Sequence, residues 1–326
     1  MESPLLVFPE KKVPYLSTFD IIKSAIGIPL RSYSFVVLTC LTSLPFFTAL
    51  LVPKLVPHSF FEGPYSYFSS QSIISNDLIH DTALALDFTT RTLKTWLLDL
   101  ARFLVAITTV YSASKIHTSG LGSTGLRDLI EHVIKAVAKT KYWFAPIFTF
   151  WLMTVFSDYF LDAATYWGVW GPLVWSRTLL FQIVHVITYA GLMVIWSEYS
   201  ALWHVGVVIS ILEENVSSGF EVFLASAGLS RGKWTRGTIL MVLDLAWRVG
   251  LRLPTLFPMW GFNYYGSVWY KVLETYLVCV GRVMSWTVWV VFYYDCKNSQ
   301  RRNNKNLVVE EVRGSEILVR ETESKN

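Results

Sequence analysis

Long apolar runs alternate along the chain with short segments in which apolar and polar residues recur at helical spacing. Runs over 32–52, 94–114, 142–162, 175–197, 237–257 and 271–295 each match the roughly 20 apolar residues that a helix needs to cross a bilayer core. A shorter segment precedes the first, third and fifth of them. In 17–31, Phe19, Ile22, Ile26 and Leu30 fall on one helical face, and Ser17 and Asp20 have the spacing of a capping box. In 123–141 the apolar positions are Leu126, Leu129, Ile130, Val133 and Val137, with Glu131 and Lys135 as an i,i+4 pair. In 212–229 they are Leu212, Val216, Phe220, Phe223, Leu224 and Ala227, opposite Glu213, Glu214, Ser217, Ser218 and Glu221. A helix with a narrow apolar face lies along a membrane surface rather than across it. These three read as elbows.

The pattern therefore predicts an all-α integral membrane fold with six transmembrane helices and three interfacial amphipathic elbow helices. Elbow plus helical hairpin forms a pseudo-threefold repeat, with units at about 17–114, 123–197 and 212–296 of a membrane domain spanning 17–296. Residues 1–16 read as a cytosolic segment. Residues 297–326 read as a mobile, charged cytosolic tail with a short β-prone piece at 306–312 or 316–320. Segment 198–212 extends the fourth run, and its pattern leaves open whether the chain bends out of the membrane there or re-enters it.

Composition strengthens the membrane reading. Of 326 residues, 53% are hydrophobic and only 16% charged, where a soluble domain carries about 25% charged residues; mean hydropathy is +0.42. The N-terminus lacks a signal-peptide pattern, so the first membrane helix is expected to act as the targeting signal.

Charge placement sets the orientation. With six spans, nineteen of the 28 lysines and arginines fall on one side: four before the first span, five in 115–141, three in 198–236 and seven in the tail. Five fall on the other side, and four arginines lie inside spans. Cytoplasmic loops carry the basic excess, so both termini are expected in the cytosol. The sequon at Asn215 would then go unused. The opposite turns, 166–175 and 257–270, are dense in tryptophan and tyrosine, as expected at headgroup level. An endomembrane of the secretory pathway or the plasma membrane fits, with the bilayer and anionic lipids of its cytoplasmic leaflet as partners. The basic stretch Lys297 to Lys305 would favour those lipids. Nothing in the chain suggests nucleic-acid binding.

One short motif stands out. Leu212, Glu213, Gly219, Ser226, Leu229, Arg231, Gly232, Lys233 and Trp234 make a pattern that resembles one in uncharacterised multi-pass membrane proteins of plants. It is also distantly similar to the membrane domain attached to some bacterial glycerophosphodiester phosphodiesterases. The chain departs from that pattern in carrying Asn215-Val216-Ser217-Ser218 where a more aromatic or proline-bearing stretch is usual. The resemblance implies a membrane fold and no catalytic activity, since the phosphodiesterase domain has no counterpart here.

Ionisable residues within spans are the main candidates for function, because each costs roughly 2.5–3.5 kcal/mol at a helix centre if exposed to lipid. The set is Asp99, Arg102, Asp244, Arg248, Arg252, Glu274 and Arg282. Asp99 with Arg102 and Asp244 with Arg248 can pair within their own helices. Counting depth along the spans puts Asp99, Arg252 and Glu274 in a shallow outer layer and Asp244 and Arg282 in a deeper one. The four arginines exceed the acids by one, a surplus that an anion would neutralise.

Other candidates are weaker. Asp77, His80 and Asp81 share a helical face and are a weak candidate for a divalent cation, although acids and Asn76 equally suit the start of a helix. His185 and His204 read as packed histidines. Cys40 and Cys279 lie in apolar runs, while Cys296 ends one beside basic residues and is a candidate for acylation. No phosphate-loop, dinucleotide, nucleophile-elbow or paired-cysteine motif occurs, so no cofactor and no enzyme activity are expected. The expected role is a membrane protein that organises or shapes an endomembrane, the alternative being a transporter or channel for a lipid or small anion.

Overall fold

The computed structural model describes residues 17–55, 77–119, 125–139, 153, 160, 179–213, 219–256 and 268–323. Among these residues the protein is entirely helical: α1 (Thr18–Arg31), α2 (Tyr33–Leu55), α3 (Asp77–Ser119), α4 (Leu126–Lys139), α5 (Leu179–Leu212), α6 (Gly219–Ser230), α7 (Trp234–Leu256) and α8 (Val268–Glu323). Four stretches are long and apolar enough to cross a membrane: Tyr33–Val52, Trp96–Thr118, Leu180–Leu212 and Val268–Arg302. They match four of the six expected runs. The fifth, 237–257, forms the 23-residue α7, but Arg236, Asp244, Arg248 and Arg252 leave it without an uninterrupted apolar length. Apart from Met153 and Phe160, the third run (142–162) lies outside the described residues. So do 1–16, the turn 166–175, residues 257–267 of the second turn and the Asn215 sequon.

α8 is the post of the structure, packing against α1, α2, α3, α5, α6 and α7. The main core surrounds its middle, where Trp286, Trp289, Val290, Val291, Phe292 and Tyr293 meet Val205, Val208 and Ile209 of α5, Met241 of α7 and Val110 of α3. A smaller cluster joins Phe46, Ala101, Val105 and Cys279 nearer the start of α8. Helices in lipid gain little from hydrophobic exclusion alone, so close van der Waals contact between small residues carries much of the association. The glycines show where this matters. A Cβ on Gly206 of α5 would come 3.2 Å from Val222 of α6, and one on Gly281 would collide with the Trp247 indole.

The short helices are set differently from their expected faces. α1 has the predicted capping box: Asp20 N–H donates to Ser17 Oγ at 3.2 Å and Ser17 N–H donates to Asp20 Oδ2 at 3.1 Å. The Ser17 hydroxyl, donating to Asp20 Oδ2 at 2.7 Å, and then the Ser17 N–H, with Lys23 adding a little, keep the Asp20 carboxyl below its usual value. Yet α1 turns Ile21, Ala25 and Ile28 onto the protein, while Phe19 (73% exposed) and Leu30 (81%), both from the expected apolar face, point away. An apolar helix at a protein boundary can use either face. In α6 the inward residues are Val222, Ser226 and Ser230, and Leu224 is exposed. α4 follows expectation more closely: Leu129 is buried and Lys135 pairs with Glu131 at 2.5 Å.

Two further differences concern the helix ends. α5 runs unbroken to Leu212, and Glu213 continues its hydrogen bonding by donating its N–H to Ile209 at 2.8 Å. Glu213 therefore terminates α5 instead of opening the third elbow. Where the tail was expected to hold a short β-prone piece, it continues α8, which stays helical to Glu323. Once a helix is nucleated by a packed span, further residues without proline extend it at little cost.

Candidate functional site

The motif at 212–234 comes together around one stretch of α8, residues 292–297. Two linked clasps form it. In the first, Glu213 at the end of α5 accepts hydrogen bonds from the Tyr293 hydroxyl at 2.5 Å and from Lys297 Nζ at 2.7 Å. Lys297 Nζ also donates to the Tyr293 oxygen at 2.7 Å, closing a triangle. An acid at a helix C-terminus opposes the helix dipole, and Lys297 offsets this. Partial burial pushes the Glu213 carboxyl up, but the hydrogen bonds from Lys297 and Tyr293 and the lysine charge outweigh it and hold the group below its usual value.

The second clasp depends on the turn between α6 and α7. Gly232 has φ +84°, a left-handed conformation that costs about 1–2 kcal/mol for a residue with a Cβ. This turn, with Lys233 N–H donating to the Ser230 carbonyl at 2.9 Å, directs Lys233 into the protein. Its Nζ donates to Asp295 Oδ2 at 2.5 Å and to the Asp295 carbonyl at 2.9 Å. Both side chains are more than nine-tenths buried, and Arg236 stands 3.8 Å from the same carboxylate oxygen. A buried carboxylate is tolerated only when paired and hydrogen-bonded, and both conditions hold.

Neighbouring contacts tie in the remaining elements. Tyr111 of α3 donates its hydroxyl to the Ile211 carbonyl at 2.7 Å, capping one of the orphan acceptors at the end of α5. Ser114 and Tyr294 hydroxyls lie 2.6 Å apart, and His117 packs on the Tyr294 ring at 5.0 Å. Of the motif residues, Glu213, Gly232 and Lys233 act directly here and Ser226 is buried against α5; Arg231 and Trp234 stay exposed. The partners Tyr111, Tyr293 and Asp295 were not singled out from sequence, and Lys297 was read only as the start of a basic stretch facing anionic lipid. Cys296 lies 1% exposed within the core, where a thiol offers no surface to an acylating enzyme.

Deeper along the helices lies a second polar group. Asp244 and Arg248 pair at 2.5 Å within α7, and Asp99 and Arg102 at 3.1 Å within α3, where Arg102 also stands 5.9 Å over the Phe46 ring. Arg282 of α8 is within electrostatic reach of Asp244 and of His204, and Ser285 hydrogen-bonds Asp244. His204 is 1% exposed. Its Nδ1 donates to the Ser200 carbonyl at 2.7 Å, and its ring lies between Trp289 (5.0 Å) and Trp286 (5.4 Å). Glu274 is partly buried on α8; the side chains of Arg252 and of Asp77, His80 and Asp81 lie outside the described residues. Among the described residues no cluster of metal-ligating side chains forms.

Among the described residues, fold and site together define a helical protein in which four stretches are long and apolar enough to cross a membrane, packed about one long helix whose middle, at residues 293–297, is clasped by one buried and one half-buried ion pair. The chain belongs to the family described as a domain of unknown function, DUF8558, whose model it matches over residues 9–313. No curated protein and no solved structure matches it.

Proposed function

We propose that the protein is a six-span membrane protein that organises or shapes an endomembrane and carries out no catalysis. The carrying observation is that its buried charges close on one another. Asp99 pairs with Arg102 at 3.1 Å, Asp244 with Arg248 at 2.5 Å and Lys233 with Asp295 at 2.5 Å. α7 joins the spans in this reading because its central acid and base neutralise each other, lowering the cost of placing them in lipid. The third run, 142–162, supplies the sixth. The exposed apolar residues Phe19, Ile26 and Leu30 on α1 support its lying in the headgroup region, with lipid against the face that the protein leaves open. The basic excess puts this face, both termini and the clasped stretch of α8 on the cytoplasmic side. The likeness of residues 212–234 to bacterial membrane domains accords with a role confined to the bilayer.

A second reading, transport of a lipid or small anion, draws support from the deeper polar group. Arg248 Nε is buried without a hydrogen-bond partner among the described residues, and Arg282 adds a further positive charge nearby. One experiment separates the two. The full chain, reconstituted into phosphatidylcholine liposomes, is assayed together for vesicle shape, anion flux and lipid scrambling. Altered shape without flux or scrambling is expected. Flux or scrambling that Arg282→Leu abolishes would overturn the organising role.

A further inference from the structure

α1 divides its surface into four sectors. At about 100° per residue, Ile21, Ala25 and Ile28 fall on one flank and are buried against the protein. Pro29 and Ile22 come next and line the grooves that run beside α8, Pro29 the one shared with α2 and Ile22 the one shared with α7. Ile26, which also reaches the α7 groove, follows with Phe19 and Leu30 on the far flank, all three exposed. Asp20, Ser24 and Arg31 lie opposite Ile22 and Pro29, and Lys23 stands at their border with Leu30. A helix lying flat at the rim of a membrane protein meets its surroundings in this order. Its polar side faces water and the opposite side faces hydrocarbon, while one flank meets protein and the other meets lipid.

The occupant of the open flank follows from what adjoins it. The exposed apolar strip does not stop at Leu30: Tyr33, Val36, Leu41 and Leu44 carry it along α2, one of the stretches long and apolar enough to cross a membrane. Lipid around that span is therefore the neighbour of the α1 flank as well. The flank is also ready-made. The Ser17–Asp20 box closes the first turn of α1. At the other end Ser32 donates its N–H to the Ile28 carbonyl at 3.2 Å and accepts from the Phe35 N–H at 3.3 Å. With both ends capped and one flank packed, α1 inserts without the ordering cost of a segment that folds on binding.

We propose that the open flank of α1 is a preformed wedge in the cytosolic leaflet, and that the protein gathers where that leaflet is convex. Phe19, Ile26 and Leu30 reach sideways among headgroups and the first methylenes, widening one leaflet near its surface and not the other. A leaflet widened in this way bows outward. A leaflet already bowed offers gaps in which such side chains fit, and interfacial helices are sensitive to curvature accordingly. Lys23 and Arg31, on the water side, add attraction to anionic headgroups and do not set the sign of the curvature. The wedge rests on the membrane-shaping reading above and names the surface that does the shaping.

Sorting between flat and curved membrane tests it. The full chain, labelled with a fluorophore at its N-terminus, is reconstituted into giant vesicles of phosphatidylcholine with a minor share of phosphatidylserine, and a narrow tube is drawn outward from each. An impermeant quencher separates molecules whose N-terminus faces outside from those whose N-terminus faces inside. The leaflet that holds α1 is convex in the tube for the first group and concave for the second. The first should be enriched in the tube several-fold over the flat membrane, and the second depleted. Phe19→Ser combined with Leu30→Ser should bring both groups to equal partition without changing thermal unfolding in detergent, since both side chains stand largely clear of the protein. Sorting that ignores orientation overturns the wedge. So does sorting that survives the paired substitution, as it would if a second copy covered this flank or the outline of the bundle did the sorting. The liposome shape assay above keeps the two claims apart. Vesicles reshaped by a chain that does not sort sink only the wedge, whereas vesicles of unaltered shape sink the reading on which it rests.

Discussion

The two halves of the apolar part of α8 are built in opposite ways. Around 286–297, aromatic residues pack against four other helices, and polar side chains from positions far away in the chain converge on Tyr293, Asp295 and Lys297. Around 276–284, small residues on α2 leave open slots, and the ridge of Val280 and Met284 faces them on both sides. One half is fastened by specific bonds and the other is left to be filled. The clasp ties the end of α5 and the turn between α6 and α7 to α8.

The comparison can be broken first at the buried pair. Lys233→Met strips the closest cation from Asp295 inside the protein, and removing one partner of a buried pair costs about 3–5 kcal/mol. Thermal unfolding in detergent should show this as the largest loss among single variants of the clasp. Gly281→Leu attacks the boundary between the halves by driving the Trp247 indole away from α8, an overpacking that costs about 1–3 kcal/mol and should be read in the same melts. Gly232→Ala leaves the ions in place but strains the turn that aims Lys233, with a loss of about 1–2 kcal/mol.

Glu213→Gln is milder, about 1 kcal/mol for a partly exposed hydrogen-bond acceptor, and its pH dependence is diagnostic. The Glu213 carboxyl sits below its usual value in the folded protein. Its contribution is therefore present above the unfolded carboxyl value of about 4.3 and is lost as pH falls through the lower folded value. The gap in melting temperature between wild type and Glu213→Gln should be constant near neutrality and close on acidification below that value. A gap that widens in acid would contradict the triangle with Tyr293 and Lys297.

What could be read from the chain alone divides along the same line. The capping box at Ser17, the Glu131–Lys135 pair and the pairs at Asp99–Arg102 and Asp244–Arg248 were legible because their partners lie three or four residues apart. Four apolar runs were legible by length. The clasp was not, because Lys233 meets a residue 62 positions away, Glu213 meets partners 80 and 84 away, and Tyr111 reaches across 100. No periodicity announces such pairs. Glu213 looked like the acidic start of an elbow since its position suited the dipole of the helix that follows, whereas Lys297 makes it tolerable at the end of the helix before. The buried faces of α1 and α6 were missed for another reason: a helix bordered by protein on one side and lipid on the next is apolar on both, and composition alone does not rank them.

The central claim is that the motif at 212–234 serves architecture by locking onto α8. A double-mutant cycle on Lys233→Met and Asp295→Leu, followed by thermal unfolding of the full chain in detergent, tests it most directly. A coupling of about 2 kcal/mol or more, within the range for contacting residues, is the result expected, with the double variant recovering much of what either single variant loses. Additive losses, with coupling under about 0.5 kcal/mol, would show that the two residues do not hold each other and would contradict the clasp.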